Sequence, residues 1–193
     1  MRIYVVKEDY INYLKKFDVN IRDNKNESRP YIGILLEING MYYIAPLASP
    51  KEKHKTMKNN IDFIKLENGD LGVINLNNMI PVHKENIVEF NFEKRHNNKY
   101  SILLKKQLRF INRHEREIKY KADKLYKKVI SGKSFIAKRC VNFRVIEKKA
   151  LEYNLNISGA AITKTTGIKD IMKEAKVKAE NHNRYFLFEG SFP

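Results

Sequence analysis

The chain has 193 residues, 42% of them hydrophobic, which is enough for one domain with a real core and excludes a disordered polybasic tail. Lysine and arginine number 38 against 22 acidic residues, and the net charge of +16 makes nucleic acid the expected partner and an anionic membrane the rival. No apolar run approaches the ~20 residues of a spanning helix, and the N-terminus lacks a signal-peptide core. Because a single cysteine and five scattered histidines offer neither a disulfide nor a zinc spacing, we expect a cytoplasmic protein without a metal or other cofactor.

The first half of the chain carries the patterns of short strands. Runs of β-branched, aromatic and aliphatic residues predict strands at 3–6, 31–38, 41–47, 61–66, 71–76 and 87–92. The turn Asn39-Gly40 joins the second and third runs and is the preferred type I′ hairpin turn. Helical spacing of apolar residues predicts a helix at 8–17, and the polar stretches 18–30 and 49–60 are typical of loops.

The second half changes to a helical period. Apolar residues recur every three or four positions over 100–130, which predicts one long helix or two short ones, ended by Ser131-Gly132. Asn142 is placed to cap a last core helix at 143–153. Strands first and helices later predict an α+β fold, an antiparallel and partly closed sheet with helices to one side.

The loop that follows the third predicted strand is the best candidate for chemistry. Cleaving RNA without a metal requires a proton to leave the ribose 2′-hydroxyl, charge on the phosphorane to be stabilised, and the 5′-oxygen to be protonated. Ser49 can hydrogen-bond the 2′-hydroxyl, Lys51 and Arg29 can bind the phosphate, and His54 titrates near neutrality. The alternative is that Ser49 occupies an ordinary turn in a solvated, lysine-rich loop.

The helical half concentrates the positive charge. Residues 101–153 hold 16 of the lysines and arginines against 5 acids, which favours a phosphate-binding surface over a merely solvated face. The residues predicted to contact RNA are Lys53, Lys55, Lys105, Lys106, Gln107, Arg109, Arg113 and Arg116. The aromatic Tyr100 is near enough in sequence to stack on a base, whereas Phe110 and Cys140 fit a core better.

An ordered series of motifs over residues 1–153 resembles the ToxN/AbiQ family, toxins of type III toxin–antitoxin systems and of phage abortive infection. The fragments that carry the resemblance are Arg29-Pro30-Tyr31-Ile32-Gly33, Tyr43-Ile44-Ala45-Pro46-Leu47-Ala48-Ser49-Pro50-Lys51, Leu71-Gly72-Val73-Ile74-Asn75-Leu76, Lys105-Lys106-Gln107-Leu108-Arg109-Phe110-Ile111 and Cys140-Val141-Asn142-Phe143. By motif, the family's active-site serine falls on Ser49, its lysine on Lys51, its basic residue before the Tyr-Ile-Gly strand on Arg29, and its N-terminal tyrosine on Tyr10.

The resemblance implies a compact, barrel-like sheet similar to the MazF/CcdB toxins, with added helices. It implies a metal-independent endoribonuclease that cuts adenine-rich RNA and leaves a 2′,3′-cyclic phosphate and a 5′-hydroxyl. It also implies an antitoxin that is a repeat RNA folded as a pseudoknot, processed by the toxin and held with it in a closed ring. The general base stays open between His54 and Tyr10, and by helical spacing alone Tyr10 is more typical of a core residue.

Two departures from the family pattern mark this chain. Ala48 stands where a hydroxyl residue often precedes the family serine, and the chain continues past the helix at which the family commonly ends. We therefore predict a toxin domain at 1–157, a linker-like stretch at 158–161 and an extension of unknown role at 158–193, with a polar helix near 169–180. A non-catalytic RNA-binding module is the second hypothesis. A peripheral membrane protein is the third and the least favoured, because such a protein needs a large exposed apolar face beside its cations and none is obvious in the sequence.

Overall fold

Short strands in the first half and long helices in the second make up the described chain. The structure, a computed structural model, describes residues 1–58, 60–92, 99–132 and 134–162, with 158–162 as backbone only. Its strands are β1 (Arg2–Val6), β2 (Tyr31–Ile38), β3 (Met41–Ala48), β4 (Ile64–Lys65), β5 (Val73–Ile74), β6 (Ile80–Val82) and β7 (Ile87–Glu89). Its helices are α1 (Glu8–Lys15), α2 (Glu52–Thr56), α3 (Lys99–Arg113), α4 (Glu115–Ile130) and α5 (Phe143–Ile162).

The strands form one sheet in the order β4-β5-β3-β2-β1-β7, and every pairing within the described residues is antiparallel. The central strand is β3, because one of its edges pairs with β2 and the other with β6 and then β5. The end strands β4 and β7 do not pair with each other in the described part of the chain, so the sheet is open. The predicted α+β class is confirmed, whereas its partial closure into a barrel is not.

The hairpin of β2 and β3 is confirmed at the predicted turn. Asn39 and Gly40 have φ values of 51° and 73°, as a type I′ turn requires, and Ile38 pairs with Met41 across it. The register then shifts between Ile32 and Leu36, where the strands contain an irregularity. This turn and the register shift together fix which residues before β2 lie beside those after β3.

The strands predicted at 61–66 and 71–76 are present but shorter, and they pair with each other as β4 and β5. β4 and β5 pair through only two residues each, Ile64 with Ile74 and Lys65 with Val73. The sequence does not predict β6, because Pro81 lacks an N–H and argues against a central strand. Here Pro81 pairs opposite Tyr43 on one side of a three-residue strand, where its carbonyl remains available as an acceptor.

The two-helix interpretation of residues 100–130 is the correct one. α3 ends at Arg113 and α4 begins at Glu115, and α4 packs against β2 with Ile118, Ala122 and Leu125 buried. Two side-chain hydrogen bonds support the packing. The Glu147 carboxylate on α5 accepts from the Tyr126 hydroxyl on α4 at 2.7 Å and from the Tyr43 hydroxyl on β3 at 2.6 Å.

The last described helix begins as predicted and ends later. The Asn142 side chain accepts from the backbone N–H of Val145 at 3.3 Å, which is the expected cap. α5 then continues to Ile162, so the linker predicted at 158–161 is wrong. The chain divides into the units Met1–Leu151 and Glu152–Pro193, and the predicted boundary at 157 stays a prediction. The helix predicted near 169–180 lies outside the described residues.

Candidate active site

An open pocket of about 390 Å³ lies where β3 ends. Its lining residues are Lys25, Ser28, Arg29, Pro30, Leu47, Ala48, Ser49, Lys51 and Tyr100. Three of the five predicted catalytic residues, Arg29, Ser49 and Lys51, therefore meet in one place. The sequence does not indicate Lys25 or Ser28 as site residues, and it predicts Tyr100 only as an aromatic that stacks on bases.

The hairpin register explains why Arg29 and Ser49 meet. Tyr31 pairs with Pro46, and the Leu47 N–H donates to the Pro30 carbonyl at 2.9 Å just beyond the last paired residues. In an antiparallel pair, the chain entering one strand lies beside the chain leaving the other. β2 begins at Tyr31 and β3 ends at Ala48. Arg29 and Ser49 therefore lie just outside the same end of this strand pair, and both line the pocket. The turn at 39–40 was thus the sequence signal for the hairpin, and the irregularity between Ile32 and Leu36 sets which residues meet at this end.

The loop before β2 is held in place by β1 and the first helix. The fully buried Asn24 donates from its side-chain amide to the Val6 carbonyl at 2.6 Å. The Glu27 carboxylate accepts from the Glu8 N–H in the first turn of α1, and the Glu8 carboxylate accepts from the Glu27 N–H, both at 3.0 Å. These three bonds fix the loop on both sides of Lys25, which enters the pocket from it.

The pocket is positively charged. Lys25, Arg29 and Lys51 line it, and no carboxylate does so among the described residues. The Arg29 Nε donates to the backbone carbonyl of Asp23, so its guanidinium is oriented by the loop. The Asp23 carboxylate lies against Lys15 instead, and that contact holds the pKa of Asp23 below its usual range. Such a site favours a ligand with phosphate groups.

His54 does not line the pocket. Its side chain is 4% exposed, and its Nδ1 has no hydrogen-bond partner within the described residues. Burial lowers the pKa of His54, and the charges of Lys53 and Lys51 lower it further, so the ring is neutral at pH 7. Its backbone N–H donates to the Lys51 carbonyl at 2.8 Å, which makes α2 a support for that residue.

Tyr10 is a core residue. It is fully buried, and its hydroxyl donates to the Pro81 carbonyl at 2.7 Å, which joins α1 to β6. The structure does not bring Tyr10 to the pocket that holds Ser49, so the core interpretation of its spacing is the one the structure supports. A catalytic role at the reacting atoms requires access that this hydroxyl lacks.

The predicted RNA-binding residues divide into three groups. Lys105, Lys106, Arg109, Arg113, Arg116 and Lys53 are exposed. Lys55 is also exposed, but it pairs with Glu52 at 3.3 Å and Asp70 at 3.6 Å, which raises its pKa. Gln107 is 1% exposed, so the prediction that its side chain binds RNA is wrong: it faces the core from α3.

Other candidate chemistry is limited in the described residues. No group of three histidine, cysteine, aspartate or glutamate side chains is close enough to hold a metal ion there. Cys140 is buried, and burial raises the pKa of its thiol to about 12, so it is a small core residue and not a nucleophile. In the same part of the chain, no helix is long and apolar enough to cross a membrane.

A family model and a known relative both match most of this chain. The family model described as "Toxin ToxN, type III toxin-antitoxin system" matches residues 2–151. The endoribonuclease ToxN of Pectobacterium atrosepticum is 35% identical over 163 residues, which cover 79% of this chain and 94% of the relative.

Two solved structures share the fold. One, described as "New insights into the mechanism of bacterial Type III toxin-antitoxin systems: selective toxin inhibition by a non-coding RNA pseudoknot", has a TM-score of 0.70, 29% identity, and coverage of 79% of this chain and 97% of the other. A second, described as "Structure and activity of AbiQ, a lactococcal anti-phage endoribonuclease belonging to the type-III toxin-antitoxin system", has a TM-score of 0.71, 25% identity and the same coverage. This chain belongs to the family of ToxN toxins of type III toxin–antitoxin systems.

Proposed function

We propose that this chain is a metal-independent endoribonuclease that cuts adenine-rich RNA and leaves a 2′,3′-cyclic phosphate and a 5′-hydroxyl. The observation that carries the proposal is the pocket at the end of β3, which combines Ser49 with three cations and no lining carboxylate in the described residues. Membership of the ToxN family supports the same activity.

The roles follow from what the reaction requires. When the 2′-oxygen attacks the phosphorus, a bond forms to that oxygen, the bond to the 5′-oxygen breaks, and negative charge accumulates on the phosphoryl oxygens. The Ser49 hydroxyl orients the 2′-hydroxyl or a phosphate oxygen by a hydrogen bond. Lys51 and Arg29 stabilise the added charge, and the planar guanidinium of Arg29 matches two phosphate oxygens at once.

The proton of the 2′-hydroxyl goes to a group that lines the pocket. His54 and Tyr10 are buried outside the lining, which argues against both as the base in this conformation. The titratable groups of the lining, besides Arg29, are Lys25, Lys51 and Tyr100. A guanidinium stays protonated, so the other three groups supply both proton transfers. One of them, in its neutral form, takes this proton, and one in its protonated form gives a proton to the 5′-oxygen as it leaves.

The partners follow from the family. The solved relative inhibited by a non-coding RNA pseudoknot supports an RNA antitoxin for this chain, which the toxin processes from a repeat precursor and holds in a closed ring of alternating protein and RNA. The anti-phage relative supports a role in abortive infection, with action on transcripts in the cytoplasm. The similarity of the sheet to MazF/CcdB toxins stays a prediction.

The test is cleavage of a long adenine-rich RNA in EDTA, with the ends of the fragments characterised. Wild type is expected to leave cyclic phosphate and 5′-hydroxyl ends, and Ser49→Ala to bind the same RNA without cutting it. Ser28→Ala is the matched control, because the Ser28 hydroxyl lines the same pocket but donates to the Lys25 carbonyl at 2.7 Å. Cleavage by Ser49→Ala at the wild-type rate would remove Ser49 from the mechanism.

A wild-type protein that binds RNA tightly, in a salt-sensitive manner, and never cuts it would identify a non-catalytic RNA-binding module. The departure at Ala48 would then be the first position to examine, because the family often has a hydroxyl there. Ala48→Thr would test whether that hydroxyl restores cleavage.

A further inference from the structure

We infer that Gln107 is a positioning residue, which fixes the peptide of Ala48 and thereby the backbone from which Ser49 enters the pocket. The inference rests on the proposed function, because it assigns Gln107 a part in the same reaction. Gln107 is not among the pocket-lining residues, so it acts through the loop and not by touching RNA.

The side chain of Gln107 joins two separate segments. Its Nε2 donates to the Leu71 carbonyl at 2.6 Å and also contacts the Ala48 carbonyl at 3.4 Å, a longer bond. Both neighbours are acceptors, so only the nitrogen end of the amide fits this position. One buried amide therefore links α3 to the end of β3 and to the segment just before β5.

Gln107 is a polar residue in the buried stripe of α3, where an apolar residue would be expected. The buried face of α3 consists of Ser101, Leu104, Gln107 and Ile111, at the spacing of one helical stripe. The Gln107 Oε1 is buried and has no hydrogen-bond partner among the described residues. Burying an unpaired oxygen is unfavourable, and an aliphatic side chain of the same length avoids it. The donor end of the amide thus provides something that a methionine cannot.

Gly72 packs against the same peptide and shows how little room it has. A Cβ at Gly72 would lie 2.0 Å from the Ala48 carbonyl oxygen and 2.9 Å from the Ser49 carbonyl carbon. The φ of Gly72 is +92°, in the region that favours glycine. The backbone just before Ser49 is therefore in direct contact with the Leu71-Gly72 segment that Gln107 also binds.

This arrangement predicts an effect on the chemical step and not on RNA binding. The attacking oxygen must lie in line with the bond that breaks, and displacement of a catalytic group by an ångström can cost about 100-fold in rate. Without the Nε2 donor, the Ala48 carbonyl loses a partner on one side and the Ser49 backbone gains freedom. The cations expected to bind phosphate are held by contacts that do not involve Gln107, so RNA affinity should be preserved.

The test compares Gln107→Met with Asn78→Leu. Asn78 is the control because it is also buried, and its amide donates to the Asn20 carbonyl at 2.8 Å and accepts from the Arg22 Nε at 3.2 Å, in a region that does not line the pocket. We expect Gln107→Met to lower kcat about 10- to 100-fold with KM and RNA affinity within about two-fold of wild type. Asn78→Leu should lower thermal stability and leave kcat of the folded protein unchanged.

Hydrogen exchange of a peptide covering residues 47–55 provides the second readout. Exchange there should be faster in Gln107→Met than in both wild type and Asn78→Leu. Equal kcat and equal exchange in the two variants would overturn the inference. If wild type fails to cleave RNA, the proposed function fails, and the exchange comparison still decides whether Gln107 fixes the loop.

Discussion

Two neighbouring helices, α3 and α4, look alike in the sequence and differ in the structure. Both are amphipathic and rich in lysine and arginine. The cations of α3 are Lys99, Lys105, Lys106, Arg109 and Arg113, and this helix contains no acidic residue. The cations of α4 are Arg116, Lys119, Lys121, Lys124, Lys127 and Lys128, and half of them form ion pairs one turn apart, with Glu115, Glu117 and Asp123.

The buried faces of the two helices differ as well. α4 buries the apolar residues Ile118, Ala122 and Leu125. In contrast, α3 places the Gln107 amide against the Ala48 carbonyl just before Ser49, and Tyr100 at the pocket. None of the α3 cations forms an ion pair within the described residues, while the α4 pairs neutralise part of the charge of that helix. A count of basic residues therefore does not identify a phosphate-binding surface. We expect α3 to face RNA and α4 mainly to stabilise the sheet.

The largest expected effect is on stability, from Leu125→Ala in α4. Leu125 is fully buried, so its truncation leaves a cavity and should lower the free energy of unfolding by about 3–5 kcal/mol. Urea denaturation measures this change, and fluorescence anisotropy measures the RNA affinity of the protein that stays folded. An RNA affinity that falls along with stability would show that α4 also forms part of the RNA surface.

A smaller effect is expected on RNA affinity, from neutralising three cations of one helix at a time. The variant with Lys105, Lys106 and Arg109 changed to alanine should bind RNA about 10- to 100-fold more weakly and reduce the slope of log affinity against log salt by about 2. The matched variant changes Lys119, Lys121 and Lys127, all of which form ion pairs, and should lose much less. Equal losses in the two variants would end the distinction between the helices.

Lowering the pH tests the contribution of the buried His54, whose helix α2 supports Lys51, to stability, and it leaves the α4 ion pairs intact. The lysine partners of Glu115 and Glu117 hold the pKa of both carboxyls below their usual range, so these pairs persist to about pH 4.5. The pKa of His54 is lowered by burial, so the unfolded chain binds a proton below pH 6.5 that the folded chain does not. Stability should therefore fall as pH falls below 6.5, by up to about 1.4 kcal/mol per pH unit for each such histidine.

His54→Leu is the variant that isolates this effect. The pKa of His83 is also lowered by burial, so wild type should show the sum of two contributions and His54→Leu only one. Urea denaturation between pH 5 and 7.5 measures the slope. An unchanged slope in His54→Leu would show that His54 takes up its proton in the folded protein.

The smallest expected effect comes from making α4 resemble α3. Glu117→Gln with Asp123→Asn releases Lys121 and Lys127 from their ion pairs. Each exposed pair of this kind stabilises the folded protein by only about 0.3–0.5 kcal/mol, so the fold should be retained. RNA affinity should rise about two- to three-fold at low salt and return to the wild-type value at high salt. A rise that persists at high salt would point to a change in structure and not in charge.

Local sequence signals predicted most of the sheet. The turn Asn39-Gly40 fixed the central hairpin, because both residues adopt positive φ and join two strongly apolar runs. The strand β6 was missed since Pro81 cannot donate to a ladder, and the short helix α2 was missed within a polar loop. The end of α5 was predicted too early because Ser158 and Gly159 are typical of linkers, yet the helix continues through them.

The candidate site was predictable where it depends on the hairpin. Arg29 and Ser49 meet because of the register of β2 and β3, which the turn and the irregularity between Ile32 and Leu36 set together. Lys25 required the hydrogen bonds between the loop and α1, and Tyr100 required the packing of α3, contacts that join residues far apart in the chain. No local pattern indicates such contacts.

By itself, the sequence determined the excess of positive charge and the central hairpin, because each depends on composition or on neighbours along the chain. Only the tertiary structure decided that Tyr10 and Gln107 are buried, and that within the described residues the α3 cations form no ion pairs while half of the α4 cations do. The physical reason is that burial, and whether a charge meets a partner, depend on which surfaces come together when the chain folds. The same residue type therefore stabilises the core at one position and is free to meet phosphate at another.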